Sequence, residues 1–165
     1  MASTLQFPLA ERDYKKAENV LLEGITSNPD NAMLLFQMGV VMQRTSRVDK
    51  AVVFLQRAVE LDPESKLSDS WAVFATALHA LRRFPEAIVA YQRAQIQSPN
   101  NAIMFANFAK LLCHSNVNHP SEGMMAVNRA LQISPDNADA LDAQTVCRKQ
   151  LMGTDDITVF EAQQN

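Results

Sequence analysis

The sequence predicts an all-α chain, and three observations lead there. Glycine is scarce, with 4 in 165 residues. The β-branched residues are scattered rather than gathered into short alternating runs, which removes the strand signature. Above all, one pattern recurs: an apolar helical run, then proline, then Asn or Asp. "QRAVELDPES" starts at Gln56, "QRAQIQSPNN" at Gln92 and "NRALQISPDN" at Asn128, and a weaker echo, "LLEGITSNPDN", ends at Asn31. Recurrence of this kind marks a stacked-repeat architecture.

The four prolines are Pro29, Pro63, Pro99 and Pro135, separated by 34, 36 and 36 residues. Five residues before them stand Gly24, Ala58, Ala94 and Ala130; twelve before stand Ala17, Ala51, Ala87 and Gly123. All eight are Ala or Gly. Twenty-four before the second and third prolines stand Gly39 and Ala75. The matching small residue of the last unit, Ala109, is displaced by two, because "HSNVNHPS" carries two extra residues. Small side chains let helix backbones approach closely, and larger apolar residues at helical spacing fill the gaps between them. Each proline ends a helix by pushing the preceding residue out of the α region. The Asn or Asp beyond it can cap the next helix.

At these positions the chain resembles the tetratricopeptide repeat (TPR) family, whose signature is W-x2-L-G-x2-Y, A-x3-F, a small residue and P at a period of 34. One unit reads Leu35, Met38-Gly39, Met42, Ala51, Leu55, Ala58 and Pro63; the next reads Trp71, Phe74-Ala75, Leu78, Ala87, Tyr91, Ala94 and Pro99. The last reads Phe105, Phe108-Ala109, Leu112, Gly123, Val127, Ala130 and Pro135. The resemblance covers residues 9–152. It implies a right-handed solenoid of antiparallel helix pairs whose concave face is lined by the first helix of each pair.

The expected organisation starts with an N-terminal segment, 1–8. A half repeat, 9–31, follows, with Tyr14, Ala17 and Leu21 in register. Full repeats span 32–65, 66–101 and 102–137, the last with the two-residue insertion. A capping helix, 138–152, and a flexible tail, 153–165, complete the chain. The helices themselves are placed at 9–26, 32–45, 48–61, 67–82, 85–97, 101–114, 120–133 and 137–152. Gln144 and Thr145 stand where a large apolar and a small residue would continue the pattern, so the last helix is expected to turn a more polar face outward.

Placing the family geometry on the sequence implies which side chains face the groove. They are Met33, Phe36, Val40, Gln43 and Arg44, then Asp69, Ala72, Thr76, His79 and Ala80, then Ile103, Ala106, Lys110, Cys113 and His114. Asp142, Val146 and Lys149 come from the last helix. Met33, Phe36 and Val40 recur at i, i+3, i+7, a spacing that solvated faces seldom make apolar. Two readings stay open: a greasy pocket for a peptide or partner helix, which adaptable Met would suit, or a patch covered by Leu5–Leu9 or by a preceding helix. TPR co-chaperones that grip a C-terminal carboxylate carry Lys and Asn on the first groove helix. Phe36 and Val40 stand there instead, so that ligand is not expected.

Other function classes find little support. Net charge is −3 and the pairs Lys15-Lys16 and Arg82-Arg83 are isolated, so no nucleic-acid partner is expected. The most apolar stretch, Ala32–Met42, contains Gln37 and is too short for a membrane span. The N-terminus lacks the apolar core of a signal peptide. Cys113 and Cys147 form no metal-like spacing and are expected to be separate buried thiols in a reducing compartment, which places the chain in the cytoplasm. Cys113, His114 and His119 lack a second ligand pair for zinc. No nucleophile motif, P-loop or HExxH is present, although His79 and His114 are both groove candidates. Asp49, Lys50, Glu86 and Glu122 lie at helix starts and are expected to be solvated there.

The expectation is therefore a non-enzymatic adaptor or scaffold without cofactor or metal, holding a partner peptide or helix in its groove. Met33, Phe36, Val40, Gln43, Arg44, Thr76, His79, Lys110 and His114 would form the binding surface. One alternative is self-assembly through Leu21, Leu22 and Ile25 of the incomplete first repeat. Another follows from the turn at "LLCHSNVNHPSEG", which loosely resembles that of TPR assembly factors for bacterial secretion, pilus or cytochrome maturation complexes. A third is a non-catalytic module of a larger enzyme.

Overall fold

The computed structural model describes residues 11–63 and 69–152. Among them are eight helices: α1 (Glu11–Ser27), α2 (Ala32–Arg44), α3 (Val48–Leu61), α4 (Ser70–Ala80), α5 (Phe84–Gln97), α6 (Ala102–Leu112), α7 (Pro120–Ile133) and α8 (Ala138–Met152). The expected segment 1–8, the helix start at residue 9, the Leu5–Leu9 cover and the tail 153–165 lie outside the described residues.

The same short devices place each helix. After Pro29, Pro99 and Pro135 the second residue is Asn31, Asn101 or Asn137. Each side-chain oxygen accepts from a backbone N–H three residues on: Leu34 (3.1 Å), Met104 (2.9 Å) and Ala140 (2.9 Å). These bonds satisfy N–H groups that a helix start leaves without partners. The fourth start differs. Asp69, before α4, is left-handed (φ 67°) and makes no capping bond. Its carboxylate instead accepts from Asn101 Nδ2 at 2.9 Å, tying two helix starts together. α4 begins at Ser70, and the expected start at residue 67 lies outside the described residues.

The turns inside the pairs also repeat. Ser46 (φ 61°), Arg82 (φ 59°) and Asn118 (φ 54°) are left-handed. The next N–H, of Arg47, Arg83 or His119, donates back to the carbonyl of Met42 (2.8 Å), Leu78 (3.0 Å) or Leu112 (2.8 Å). The two extra residues before α7 thus change the loop but not its closing bond. This is why the insertion leaves the stack intact.

Packing follows the small residues. α2 packs most densely on α3, α4 on α5 and α6 on α7; α3 meets α4, α5 meets α6, and α8 packs on both α6 and α7. Ala51, Ala58, Ala87, Ala94, Ala109 and Ala130 are all buried between helices, and so is Ala17 of the half repeat. Their partners are the large buried side chains Leu21, Met38, Leu55, Leu78, Tyr91, Met104 and Val127. Gly39 shows how tight the contact is: a Cβ there would stand 2.5 Å from Leu55 Cγ. α1 is clamped from outside as well. Arg47 makes a two-pronged pair with Glu18 at 2.9 and 2.7 Å, and this bond holds the Glu18 carboxyl below its usual range.

Two expectations are corrected. Cys113 and Cys147 are buried as expected, but they are bonded to each other, with Cα atoms 5.1 Å apart. With the sulfurs bonded, the cysteines no longer argue for a reducing compartment. The pairing arises because α8 stacks on α6 at a full repeat's offset, bringing equivalent positions side by side. Leu21, placed on an open face of α1, is buried against the core; Leu22 is exposed and Ile25 half-buried. On α8, Gln144 is half-buried and Thr145 exposed, and Leu141, Val146, Leu151 and Met152 are exposed beside Asp139, Asp142, Arg148 and Lys149.

Candidate functional site

A groove of about 630 Å³ lies across the first helices of the three pairs. Val40, Gln43 and Arg44 of α2 form one wall. Ala72, Val73 and Thr76 of α4 form the floor, with Asp69 at its end. Asn101 with Ile103, Met104 and Asn107 of α6 forms the far wall. The apolar part of the lining is therefore Val40, Ala72, Val73, Ile103 and Met104, of which Ala72 and Met104 are buried. Thr76 is fixed from below: its hydroxyl bonds the Ala72 carbonyl (2.9 Å) and lies 3.3 Å from the Tyr91 hydroxyl. Burial pushes the Tyr91 phenol up to about 12, so it stays protonated. Among the described residues, the side chains of Gln43, Arg44 and Asn107 make no hydrogen bond or ion pair, which leaves their donors and acceptors facing the groove.

Of the nine residues expected to bind, the structure brings Val40, Gln43, Arg44 and Thr76 into this groove. Met33 and Phe36 lie outside its lining. Met33 is exposed, whereas Phe36 is half-buried and packs against the core. Among the further positions, Asp69, Ala72 and Ile103 line the groove. Ala106 is buried beneath it, and Cys113 is buried in the disulfide rather than open to a ligand. Asp142, Val146 and Lys149 are exposed on α8. Val73, Asn101, Met104 and Asn107 were missed; Val73 and Asn107 stand at one register position, 34 residues apart. The groove lies between successive first helices, so a later helix contributes its leading edge while α2 contributes its trailing edge. Uniform placement of the family pattern overlooks that offset.

His79 and His114 lie outside this lining, on either side of Phe84 at the start of α5, and Lys110 lies outside it too. The Phe84 ring is 6.0 Å from His79 and 4.8 Å from His114, and the Arg82 guanidinium lies 5.3 Å over it. Lys110 pairs with Asp139 of α8. His79 is half-buried, and its pKa is lowered first by burial, then by the charges of His114 and Lys110. A histidine that resists protonation in the fold contributes stability above its unfolded pKa of about 6.5, and that stability is lost as pH falls below it. The urea midpoint should therefore fall between pH 7.5 and 5.5, and fall less in His79→Gln. Equal losses in the two proteins would show that His79 does not titrate against the fold. Of the charged helix starts, Glu86 bonds Arg83 and Glu122 lies 3.3 Å from His119, both exposed. No group of three or more His, Cys, Asp or Glu among the described residues could hold a metal ion. No described helix is long and apolar enough to cross a membrane.

The fold and groove define a right-handed TPR solenoid of antiparallel helix pairs. Solved structures agree. YrrB, described as a TPR protein with an unusual peptide-binding site, superposes with a TM-score of 0.71 at 23% identity, covering 82% of this chain and 68% of that one. MamA superposes with a TM-score of 0.77 at 17% identity, covering 86% and 75%. A chain of the APC/C hetero-tetramer Cut9-Hcn1 gives 0.71 at 22% identity, covering 85% of this chain but 27% of the other. At these identities the likeness is one of fold. No protein-family model and no curated protein matches the chain.

Proposed function

We propose that the chain is a non-enzymatic adaptor that holds an extended peptide or helix of a partner protein in the groove across α2, α4 and α6. One observation carries this reading. Val40, Val73 and Ile103 lie in an open groove beside Gln43, Arg44 and Asn107, whose polar groups have no partner among the described residues. Apolar side chains offer burial to a ligand, and unsatisfied polar groups beside them set its orientation. Arg44 would take a carboxylate, Gln43 and Asn107 peptide groups, and Val40 with Ile103 an apolar side chain. YrrB, of like fold, is described as having a peptide-binding site, which supports the reading. Phe36 and Met33 would extend the apolar surface beyond the groove; His79 and His114, on either side of Phe84, and Lys110 would border it.

Selection of displayed random peptides against the chain tests this. A selected peptide should lose about tenfold or more in affinity to Arg44→Ala and to Val40→Asp, a loss of about 1.4 kcal/mol or more. Helical circular dichroism should not change in Arg44→Ala, since Arg44 is exposed. Phe36→Ala should weaken binding less and cost some stability, because Phe36 packs against the core. Peptides that bind all three variants as well as the wild type would place the site elsewhere.

A further inference from the structure

At its Asp69 end the groove adjoins a second cavity, of about 650 Å³, and the two share Asp69, Asn101 and Ile103. Beyond these residues the second cavity is walled by the end of α5, with Gln97, by the end of α7 and by the start of α8. Asp69 is the only charged residue in its lining. Helix starts (α4, α6 and α8) and helix ends (α5 and α7) meet around it, so their dipoles largely offset one another and the carboxylate sets the sign of the cavity.

Asp69 is a held acceptor rather than a cap. It makes no capping bond, so its own helix does not use the carboxylate. Its Oδ1 accepts from Asn101 Nδ2 at 2.9 Å, and Asn101 is itself fixed by accepting from the Met104 N–H at 2.9 Å. The carboxylate is therefore oriented, yet Asn101 is neutral and Asp69 makes no ion pair among the described residues. Arg44, on the far wall of the groove, does not pair with it. Arg129 donates to the Pro99 carbonyl (3.0 Å) and Asn100 Oδ1 (3.3 Å), two other lining groups, but stands outside the lining and does not pair with Asp69 either. A second acceptor lines the cavity. Gln97 Oε1 is buried and has no hydrogen-bond partner among the described residues, a state that is unfavourable until a donor reaches it.

We propose, resting on the groove reading above, that this cavity receives a basic side chain of the bound peptide, arginine or lysine. Its cationic head pairs with the Asp69 carboxylate and donates to Gln97 Oε1, and a charge-assisted bond to a held carboxylate is both strong and directional. Arg44 and Asp69 carry opposite charges in one groove and do not pair with each other. The partner they fit is therefore dipolar, with an acidic group at Arg44, a basic one at Asp69 and an aliphatic side chain on Val40 and Ile103.

Two measurements test this, and the first needs no groove peptide. N-acetyl-arginine amide is titrated into the isotope-labelled full chain while the side-chain amide signals of Gln97 and Asn101 are followed by NMR. Both should shift in the wild type, and the apparent Kd should weaken about tenfold or more in Asp69→Asn. Asparagine keeps the acceptor for Asn101 and tolerates the left-handed backbone, so this variant loses the charge and should leave circular dichroism unchanged. N-acetyl-aspartate amide should shift neither signal. No shift with the arginine probe, equal binding by Asp69→Asn, or tighter binding of the aspartate probe overturns the proposal. Second, peptides selected on the groove should share a Lys or Arg at one position. Its replacement by Gln should weaken binding about tenfold in the wild type and have no further effect in Asp69→Asn. Peptides that lose affinity to Arg44→Ala and Val40→Asp but share no basic position overturn this subsite and leave the groove reading standing. Arginine binding that depends on Asp69, with no peptide selectable, supports the cation cavity and sinks the groove reading.

Discussion

Removing the bond between Cys113 and Cys147 should lower the stability of the chain by about 4 kcal/mol. The bond closes a loop 34 residues long in sequence, and in the chain-entropy account a loop of that size restricts the unfolded state by about this amount. The location adds to the effect. Both cysteines are buried, one at the end of α6 and the other in α8, so the bond fastens the last helix to the stack. The surroundings are built for it. A Cβ on Gly123 would stand 2.1 Å from Cys113 Sγ and 3.0 Å from Cys147 Sγ. The other units have Ala17, Ala51 and Ala87 at this register position, and only the unit carrying the disulfide has glycine. Urea unfolding of the oxidised chain should be compared with that of the Cys113→Ala, Cys147→Ala double variant. Hydrogen exchange should quicken first in α8. An unchanged midpoint would show that the two sulfurs contribute no covalent restraint.

Tyr91→Ala should cost about 3–5 kcal/mol, the range for deleting a buried aromatic side chain. Tyr91 has no exposed surface and stacks on Phe108 of α6 with ring centroids 5.1 Å apart, while its hydroxyl reaches Thr76 of α4. It therefore joins three helices across the boundary between two units. Tyr91→Phe keeps the ring and loses only the hydroxyl contact, so about 1 kcal/mol is expected. The comparison by thermal or urea unfolding separates packing from hydrogen bonding. If Tyr91→Phe were as damaging as Tyr91→Ala, the hydroxyl at the groove floor would matter more than the ring.

The helices were legible because their determinants are local. Proline ends a helix through its own ring, and Asn two residues later caps the next through its own side chain; neither needs a distant partner. The small residues were legible through repetition, since a position that is Ala or Gly at each period must meet the same close neighbour each time. A distant partner was not legible: Asp69, left-handed before α4, accepts from Asn101, 32 residues away.

The groove was legible in part. Val40, Gln43, Arg44 and Thr76 came together as the repeat pattern implies. His79 and His114 pack against Phe84 at the start of α5 instead, and Lys110 pairs with Asp139 of α8. Val73 and Asn107 entered because neighbouring first helices are offset, a quantity that no single unit encodes.

Periodicity alone determined that this chain is an all-α stack, where its helices break and which small residues let them nest, since each of these depends on residues a few positions apart. Only the tertiary structure decided that Cys113 meets Cys147, that Leu21 is covered and that Asp69 stands between the groove and a second cavity. Those outcomes depend on how whole helices sit against one another, and contacts between residues a full repeat apart exist only once the stack has formed.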